Sequence, residues 1–460
     1  MLPEKFISTL KELLNEKFLL SKVDCEAYAT TDFHFQGQCP GAICLPVNTE
    51  EVSLILKTCN TFKIPFVPYG AGTSVEGQVS ALSKDILLID LSGMKQVIEF
   101  SEDDLFIKIQ PGITYEDLDQ YFLDNDTSVF FPIDAWPAAT LGGMVSTGAS
   151  GTNAVKYGTM RENTLGLTIV SPNGDVIHTG GRAVKSSAGY DLTRLFVGAE
   201  GTLGVVTEII LKLQYRPSCT LTAYSQFDDI NSAVESVVVL KKSGVSIGRM
   251  ELMDKRQVEA CILYTGNTQI SVKETIFFEC SGTELSVNAQ LNAIQDICES
   301  SGGKVVVSSD EASSKKLWHF RKVAGKAALN LCPEKKGMVT DACVPITRLP
   351  ECILLSQKKL EGLGLDGSIV GHVGDGNFHV TVLAGKEDWA AAKDFVAYVA
   401  KIAVSQGGTI TGEHGIGVGK KALLPDEHAS SIRIMQAIKH AIDPNNIANP
   451  GKIFDMPSEL

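Results

Sequence analysis

The chain has 460 residues, 44% of them hydrophobic and 21% charged, which suits a globular protein of two or three domains with a large core. A net charge of −13 argues against a nucleic-acid partner, since gripping phosphates needs clustered Lys and Arg. The 11 scattered cysteines, with no Cys-x-x-Cys pair, read as free thiols of a reducing compartment and argue against a disulfide framework, an iron-sulfur cluster or a zinc ribbon.

Residues 1–20 read as an amphipathic helix, with Phe6, Leu10, Leu13, Leu14 and Phe18 at helical spacing and Glu4, Glu12 and Glu16 between them, not as a signal or transit peptide. Ala42–Pro46 reads as a strand, Asn48 with Glu51 as a capping box opening a helix, and Ile64–Pro68 as a second strand. A glycine-rich loop, Gly70–Gly77, precedes a strand at Ile86–Leu91, and Leu141–Gly151 (LGGMVSTGASG) is nearly all small residues. Leu167–Gly180 reads as a hairpin turning on Asn173-Gly174, Val205–Leu213 as a strand, and Pro217-Ser218 as a boundary. Helices are expected over Ile230–Lys242, Val287–Ser300 and Ser430–Ile442, with strands at Gln269–Phe278 and Gly367–Leu383. No apolar run approaches the roughly 18 residues that span a bilayer. A cytoplasmic location follows as the expectation, with peripheral contact at a membrane left open.

Glycines without Cβ let backbone N–H groups close on a phosphate, so two such loops in one half suit a long pyrophosphate-linked cofactor; plain tight turns are the bland alternative. The spacing of Gly70, Gly72 and Gly77 departs from G-x-G-x-x-G, and a strand follows where a dinucleotide site needs a helix, which disfavours NAD. In the second half, GHVGDGNFHV (Gly371–Val380) reads as a hairpin tipped by Asp375-Gly376. That register sets His372 directly across from His379 on one face, where two imidazoles can share a divalent cation; a slip of one residue would separate them. TGEHGIG (Thr411–Gly417) offers Glu413 as a third ligand, followed at once by His414. Two imidazoles and a carboxylate leave open positions for a hydroxyl and a carboxylate of a substrate. Arg321, in LWHFRK on an expected helix, could clamp such a carboxylate or simply be a solvated surface residue.

Three stretches carry a family resemblance: PYGAGTSVEG, LGGMVSTGASGTNAVKYGTMRENTLGL and KSSAGYDLTRLFVGAEGTLGVVTEIILKL. Together they resemble the FAD-binding domain of the vanillyl-alcohol oxidase type. Within it the chain is most similar to flavin-type D-lactate dehydrogenases, and it also resembles the glycolate oxidase flavin subunit and D-2-hydroxyglutarate dehydrogenases. The resemblance implies an α+β fold: a two-subdomain FAD-binding domain over 1–216, an α+β cap domain with an antiparallel sheet over 217–420, and a C-terminal segment, 421–460, returning to the first. It implies that Pro68, Gly70, Ala71, Gly72, Thr73, Ser74 and Gly77 hold the pyrophosphate. It places Pro132, Asp134, Thr140, Leu141, Gly142, Gly143, Ser146, Gly148, Ala149, Ser150, Asn153 and Tyr157 along the isoalloxazine and ribityl chain. Glu200, Gly201, Gly204 and Val206 fall on the adenosine side, and Asn449 of the NPGK stretch joins the cofactor set. Relatives with covalent flavin carry His where Thr73 stands, so FAD is expected without a covalent bond.

The same resemblance makes His372, His379 and Glu413 the ligands of a divalent metal, zinc or manganese, makes His414 the base, and gives Arg321 the substrate carboxylate. His414 serving only to orient Glu413 is the competing reading. Hydride would pass from the 2-carbon of a small D-2-hydroxy acid to the flavin N5, D-lactate being favoured. The polar groups with which D-2-hydroxyglutarate dehydrogenases hold a second carboxylate are absent: Gly325 and Val339 occupy those positions. The alternatives are a glycolate-oxidising subunit and a D-2-hydroxyglutarate dehydrogenase. Electrons would leave to a quinone, a cytochrome or an electron-transfer flavoprotein, and a homodimer is left open.

Overall fold

A computed structural model describes residues 2–29 and 37–457. The chain forms two units. One is built from Met1–Gly151, Tyr157–Arg216 and Glu413–Leu460, the other from Thr152–Lys156 and Pro217–Gly412. Glu413 and His414 therefore belong to the first unit, and Asn153 to the second.

The first unit has two layers of strand, each with its own core. A four-stranded sheet runs in the order Phe18–Leu19, Ala42–Cys44, Leu87–Asp90, Phe66–Tyr69, the last three parallel. Ala42–Cys44 and Leu87–Asp90 are buried throughout, as parallel strands covered on both faces are. The helices Glu4–Leu14 and Thr49–Phe62 put Phe6, Leu10, Val52 and Leu56 into the same core. Asn48 caps the second helix by accepting the Glu51 N–H at 2.8 Å, while the Glu51 carboxylate takes the N–H of Val47, one residue before the cap. The second sheet is antiparallel: Val97–Ser101, Phe106–Ile109, Val205–Lys212, Thr164–Val170, Val176–Gly180.

The Thr164–Gly180 hairpin forms, but its turn is not the two-residue one expected. Ser171 N–H donates to Asp175 O and Gly174 N–H to Ser171 O, enclosing Pro172, Asn173 and Gly174. Of Asn173 and Gly174 only Gly174, at φ +87°, is left-handed, whereas a type I′ turn needs both.

The C-terminal helix Ile432–Ile442 leads back to the first sheet, where Phe66 N–H donates to Ile447 O and Asn449 N–H to Phe66 O. Lys439, buried on this helix, pairs with Asp443 and donates to the carbonyls of Thr202 (2.7 Å) and Ala448 (2.8 Å).

The second unit is built on an antiparallel sheet in the order Lys304–Val307, Cys219–Phe227, Glu274–Gly282, Arg249–Met253, Asp366–Gly371, Asn377–Ala384, Lys336–Val339, with Ala342–Cys343 also pairing to Asn377–Ala384. The helices Ile230–Lys242, Glu284–Ser300, Leu349–Gly362 and Trp389–Ser405 share one core with it; Lys255–Thr265, Glu311–Lys322 and Ala324–Asn330 share another. Both units are thus α+β. No described helix is long and apolar enough to cross a membrane.

Lys439→Met should destabilise the first unit by about 3–5 kcal/mol, because it strands the buried Asp443 carboxylate without its cation. Denaturant unfolding followed by circular dichroism checks this; an unchanged midpoint would show that the pair contributes nothing.

Candidate functional site

In the first unit the two glycine-rich loops meet. A Cβ on Gly70 would lie 2.2 Å from Thr140 Oγ1, so only a bare backbone fits there. Thr140 in turn caps the helix Leu141–Thr147 by accepting the Gly143 N–H. Gly201, at φ +72°, packs on the Pro68 ring, which a Cβ would approach to 2.9 Å. The result is one cleft lined by both loops.

Of the residues expected to bind cofactor, Pro68, Gly70, Ala71, Gly72, Thr73 and Ser74 line the cleft on one side. Thr140, Gly142, Gly143, Ser146 and Ala149 line it from the second loop, and Glu200, Gly201, Gly204, Val206 and Asn449 complete it. Others stand behind the wall. Gly77 is a left-handed turn, Gly148 (φ +66°) ends the helix, and Leu141 points into the core. Pro132, Asp134 and Ser150 are not on the lining, and Asp134 packs where a Cβ on Gly151 would fall. Tyr157 lies edge-on to Phe130. Asn153 sits in the second unit, where its carbonyl oxygen accepts from Arg249 Nε at 2.7 Å.

Glu413 and His414 also line this cleft. Their turn is fastened from the cofactor side. Gln78 Nε2 donates to His414 O at 2.7 Å, and the Glu200 carboxylate accepts the N–H groups of Ile416 (2.6 Å) and Gly417 (2.8 Å). Glu200 is left-handed at φ +51°, a conformation a bulky residue keeps only where its surroundings impose it. Its own backbone is tied at both ends, N–H to Ser146 O and carbonyl to Asn449 Nδ2 at 2.7 Å. Burial raises the Glu200 carboxyl to about 7, against the lowering pull of Ile416 and Gly417 N–H, Gln78 and Lys452; burial likewise lowers the Lys452 amine to about 8.

In the second unit His379 faces Val370, not His372, so the register of the Asp366–Ala384 hairpin differs by two residues from the one expected. The tip is a wider 3-10 turn, Val373–Asp375, with Gly376 at φ +81° after it. A shift of two preserves the face, and the two imidazole centroids lie 5.6 Å apart. His379 Nδ1–H donates to Thr340 O at 3.1 Å, and His372 Nδ1–H donates to the Glu251 carboxylate at 2.8 Å. Nε2 is then the unprotonated nitrogen on both rings, the arrangement metal-binding histidines adopt, so the donor set fits a divalent cation.

Arg321 is no solvated surface residue: its side chain is 11% exposed and its guanidinium meets Glu251 at 2.6 Å. Asp341 accepts from Asn377 Nδ2 (2.8 Å) and Thr411 Oγ1 (2.7 Å), and Cys343 bridges to Thr409. The second unit's last residues are thereby pinned beside His379, which lies 3.7 Å from Asp341. Glu251, Asp341 and Gln78 were not singled out as site residues from the sequence. For Glu251 a signal existed: an acid set between Met250 and Leu252–Met253 in a strand must find a partner if that strand is buried.

Family models match the chain over two segments: "FAD binding domain" over residues 40–180 and "FAD linked oxidases, C-terminal domain" over 216–453. The mitochondrial D-lactate dehydrogenase [cytochrome] of Arabidopsis thaliana is 39% identical, the match covering 98% of this chain and 80% of that protein. The glycolate oxidase subunit GlcD of Bacillus subtilis is 32% identical over 90% of this chain and 89% of its own. Among solved structures, the 4-ethylphenol oxidase of Gulosibacter chungangensis shares the fold at TM-score 0.79 and 16% identity, covering 100% of this chain and 99% of that one.

Gly201→Ala combines a left-handed backbone with a Pro68 contact and should cost about tenfold or more in FAD affinity, read from flavin retained on gel filtration. Retention equal to wild type would remove this wall from the binding site. For Glu200, the folded value near 7 stands above the ordinary 4.5, so the stability it confers is complete below 4.5 and is lost as pH rises through 7. The stability of wild type relative to Glu200→Gln should therefore fall between pH 4.5 and 8, by about 3 kcal/mol at most. Paired denaturant melts across that range would show it, and a difference that stays flat with pH would refute it.

Proposed function

The chain belongs to the FAD-linked oxidases of the vanillyl-alcohol oxidase type, close to the D-lactate dehydrogenases and glycolate oxidases, and we propose that it oxidises D-lactate to pyruvate. It is an FAD-dependent 2-hydroxy acid dehydrogenase or oxidase. The observation that supports the finer reading is that His414 lines the same cleft as both cofactor loops. A base so placed adjoins the electron acceptor, as removal of a proton and a hydride from one CH–OH group requires.

The residues lining the cleft would hold FAD, which would supply the acceptor for the hydride of the 2-carbon. Thr73 on the lining has no imidazole to offer the flavin, which favours non-covalent binding. A divalent cation, zinc or manganese, would make the hydroxyl more acidic. His372, His379 and Glu413 would hold it. The first two share a face, and Glu413 follows directly on Gly412, where a Cβ would fall 3.1 Å from Asp341 Oδ1. His414 then accepts the hydroxyl proton, and the Arg321 guanidinium holds the carboxylate.

The far end of the substrate is small and uncharged on this reading. Around Gly325 a Cβ would meet nothing within 4 Å, and Val339 is apolar, so neither position offers a grip for a second carboxylate. A cytochrome is the proposed electron acceptor, as the name of the Arabidopsis relative has it for that protein, with a quinone or an electron-transfer flavoprotein as the other candidates. The likeness to GlcD favours glycolate as the second substrate to test.

Anaerobic mixing with D-lactate should bleach the flavin absorbance, while L-lactate and D-2-hydroxyglutarate leave it; faster bleaching by glycolate would move the assignment there. His414→Ala should slow bleaching by about 10²–10⁴-fold. A rate equal to wild type would refute the assignment of the base. Exhaustive chelation should slow bleaching too and added zinc or manganese restore it; metal-free protein with full activity would remove the cation from the reaction.

A further inference from the structure

Glu251 is a carboxylate in a dry place. Its side chain is 1% exposed, and Met250, Leu252 and Met253 on the same strand are buried with it. An anion so placed is tolerated only when donors compensate it. The donors come from two separate elements. His372, just past the strand Asp366–Gly371, gives its Nδ1–H to Oε1 at 2.8 Å and Oε2 at 3.0 Å. Arg321, at the end of the helix Glu311–Lys322, brings a terminal guanidinium nitrogen to Oε2 at 2.6 Å. The meeting with His372 is dictated by the sheet: Leu252 pairs with Gly371 in an antiparallel register, so the next step along sets Glu251 opposite His372.

We propose that Glu251 is a positioning residue that joins the metal arm and the substrate arm of the site. It fixes His372 with Nδ1 protonated, so that Nε2 is the nitrogen offered to a cation, and it holds Arg321 so that the rest of the guanidinium edge faces the substrate carboxylate. This rests on the reading of His372 as a ligand and Arg321 as the carboxylate clamp. The Nε of Arg321 is buried and has no hydrogen-bond partner among the described residues, a donor in need of an acceptor.

A carboxylate can serve both partners because its two oxygens only accept. An amide of the same shape cannot. In Glu251→Gln, turning the amide oxygen to Arg321 presents the NH2 to His372. Nδ1 must then accept, the proton moves to Nε2, and the metal-binding lone pair is lost. Turned the other way, the NH2 meets the guanidinium, donor against donor. One substitution should therefore weaken metal binding and substrate binding together.

The test uses the full-length flavoprotein. Glu251→Gln and wild type are stripped by chelation and titrated with zinc or manganese against a chromogenic chelator, and KM and kcat for D-lactate are measured at saturating metal. Metal affinity should fall about 10–100-fold, and KM should rise about tenfold or more with FAD content unchanged. A change in only one of the two, or in neither, overturns the proposal. His372→Ala is the control: if it keeps its metal and its activity, the metal reading fails, whereas its loss of metal beside an unaffected Glu251→Gln sinks the bridge alone. Should Glu251→Gln not fold, histidine 15N shifts of zinc-loaded wild type decide: Nδ1–H with Nε2 on the metal supports the proposal, and Nδ1 on the metal overturns it.

Discussion

A carboxylate removed from water must be met by donors, and in this protein that requirement places most of the reacting groups. Asp443 gathers Lys439 and the N–H groups of Ile447 and Ala448, which delivers Asn449 to the cofactor cleft. Glu200 gathers the N–H groups of Ile416 and Gly417 and so sets the turn that carries His414. Asp341 gathers Asn377 and Thr411, and Glu251 gathers His372 and Arg321. For Glu200, Asp341 and Glu251 the partners lie far away in sequence, whereas Asp443 gathers groups within five residues of itself. The electrostatic cost of burial becomes a means of fixing geometry, because a misplaced partner would leave a charge uncompensated in a medium of low dielectric.

The Thr411–Gly417 turn shows what this does for the chain. Its first residue is bonded to Asp341 in the second unit, and Ile416 and Gly417 are bonded to Glu200 in the first. Glu413 and His414 lie between those anchors. Glycine at 415, at φ +77°, is needed there: a Cβ would fall 2.5 Å from Glu200 Oε1. The turn thus combines two demands, tight backbone curvature and a side-chain carboxylate seated directly against the main chain, and only a glycine-rich sequence meets both.

How far the site could be read from the sequence follows from the range of the forces involved. The cofactor loops were legible because bare backbone is a compositional property: Gly70, Gly72 and Gly142–Gly143 announce close approach wherever they sit. The α+β character of the first half was legible from the family resemblance, and that of the second also from its helix and strand patterns. The register of the histidine hairpin was read two residues out, because a 3-10 turn at Val373–Asp375 cannot be told from a tight Asp-Gly turn by residue type. The pairing of the imidazoles on one face survived only because strand side chains alternate with period two. The Asn173-Gly174 turn failed for a similar reason, Ser171 and Asp175 closing a loop wider by one residue. The partners of Glu251 and Asp341 could not be read, since they come from segments distant in sequence; for Glu251 only the need for some partner was legible. The membership of Glu413 and His414 in the first unit was equally hidden: their neighbours Gln78 and Glu200 come from loops more than 200 residues upstream.

The two units are built from different materials. The cofactor cleft is made largely of backbone and small side chains, which bind a large, polar, chemically reactive group without offering it competing nucleophiles or acids. The second unit gathers imidazole, guanidinium and carboxylate on and beside one sheet, where each group is already paired on one side. Such groups lose little freedom when a substrate arrives, because their orientation was settled in folding. Glu200 in the first unit and Glu251 in the second are the buried acids around which these candidate site residues are held.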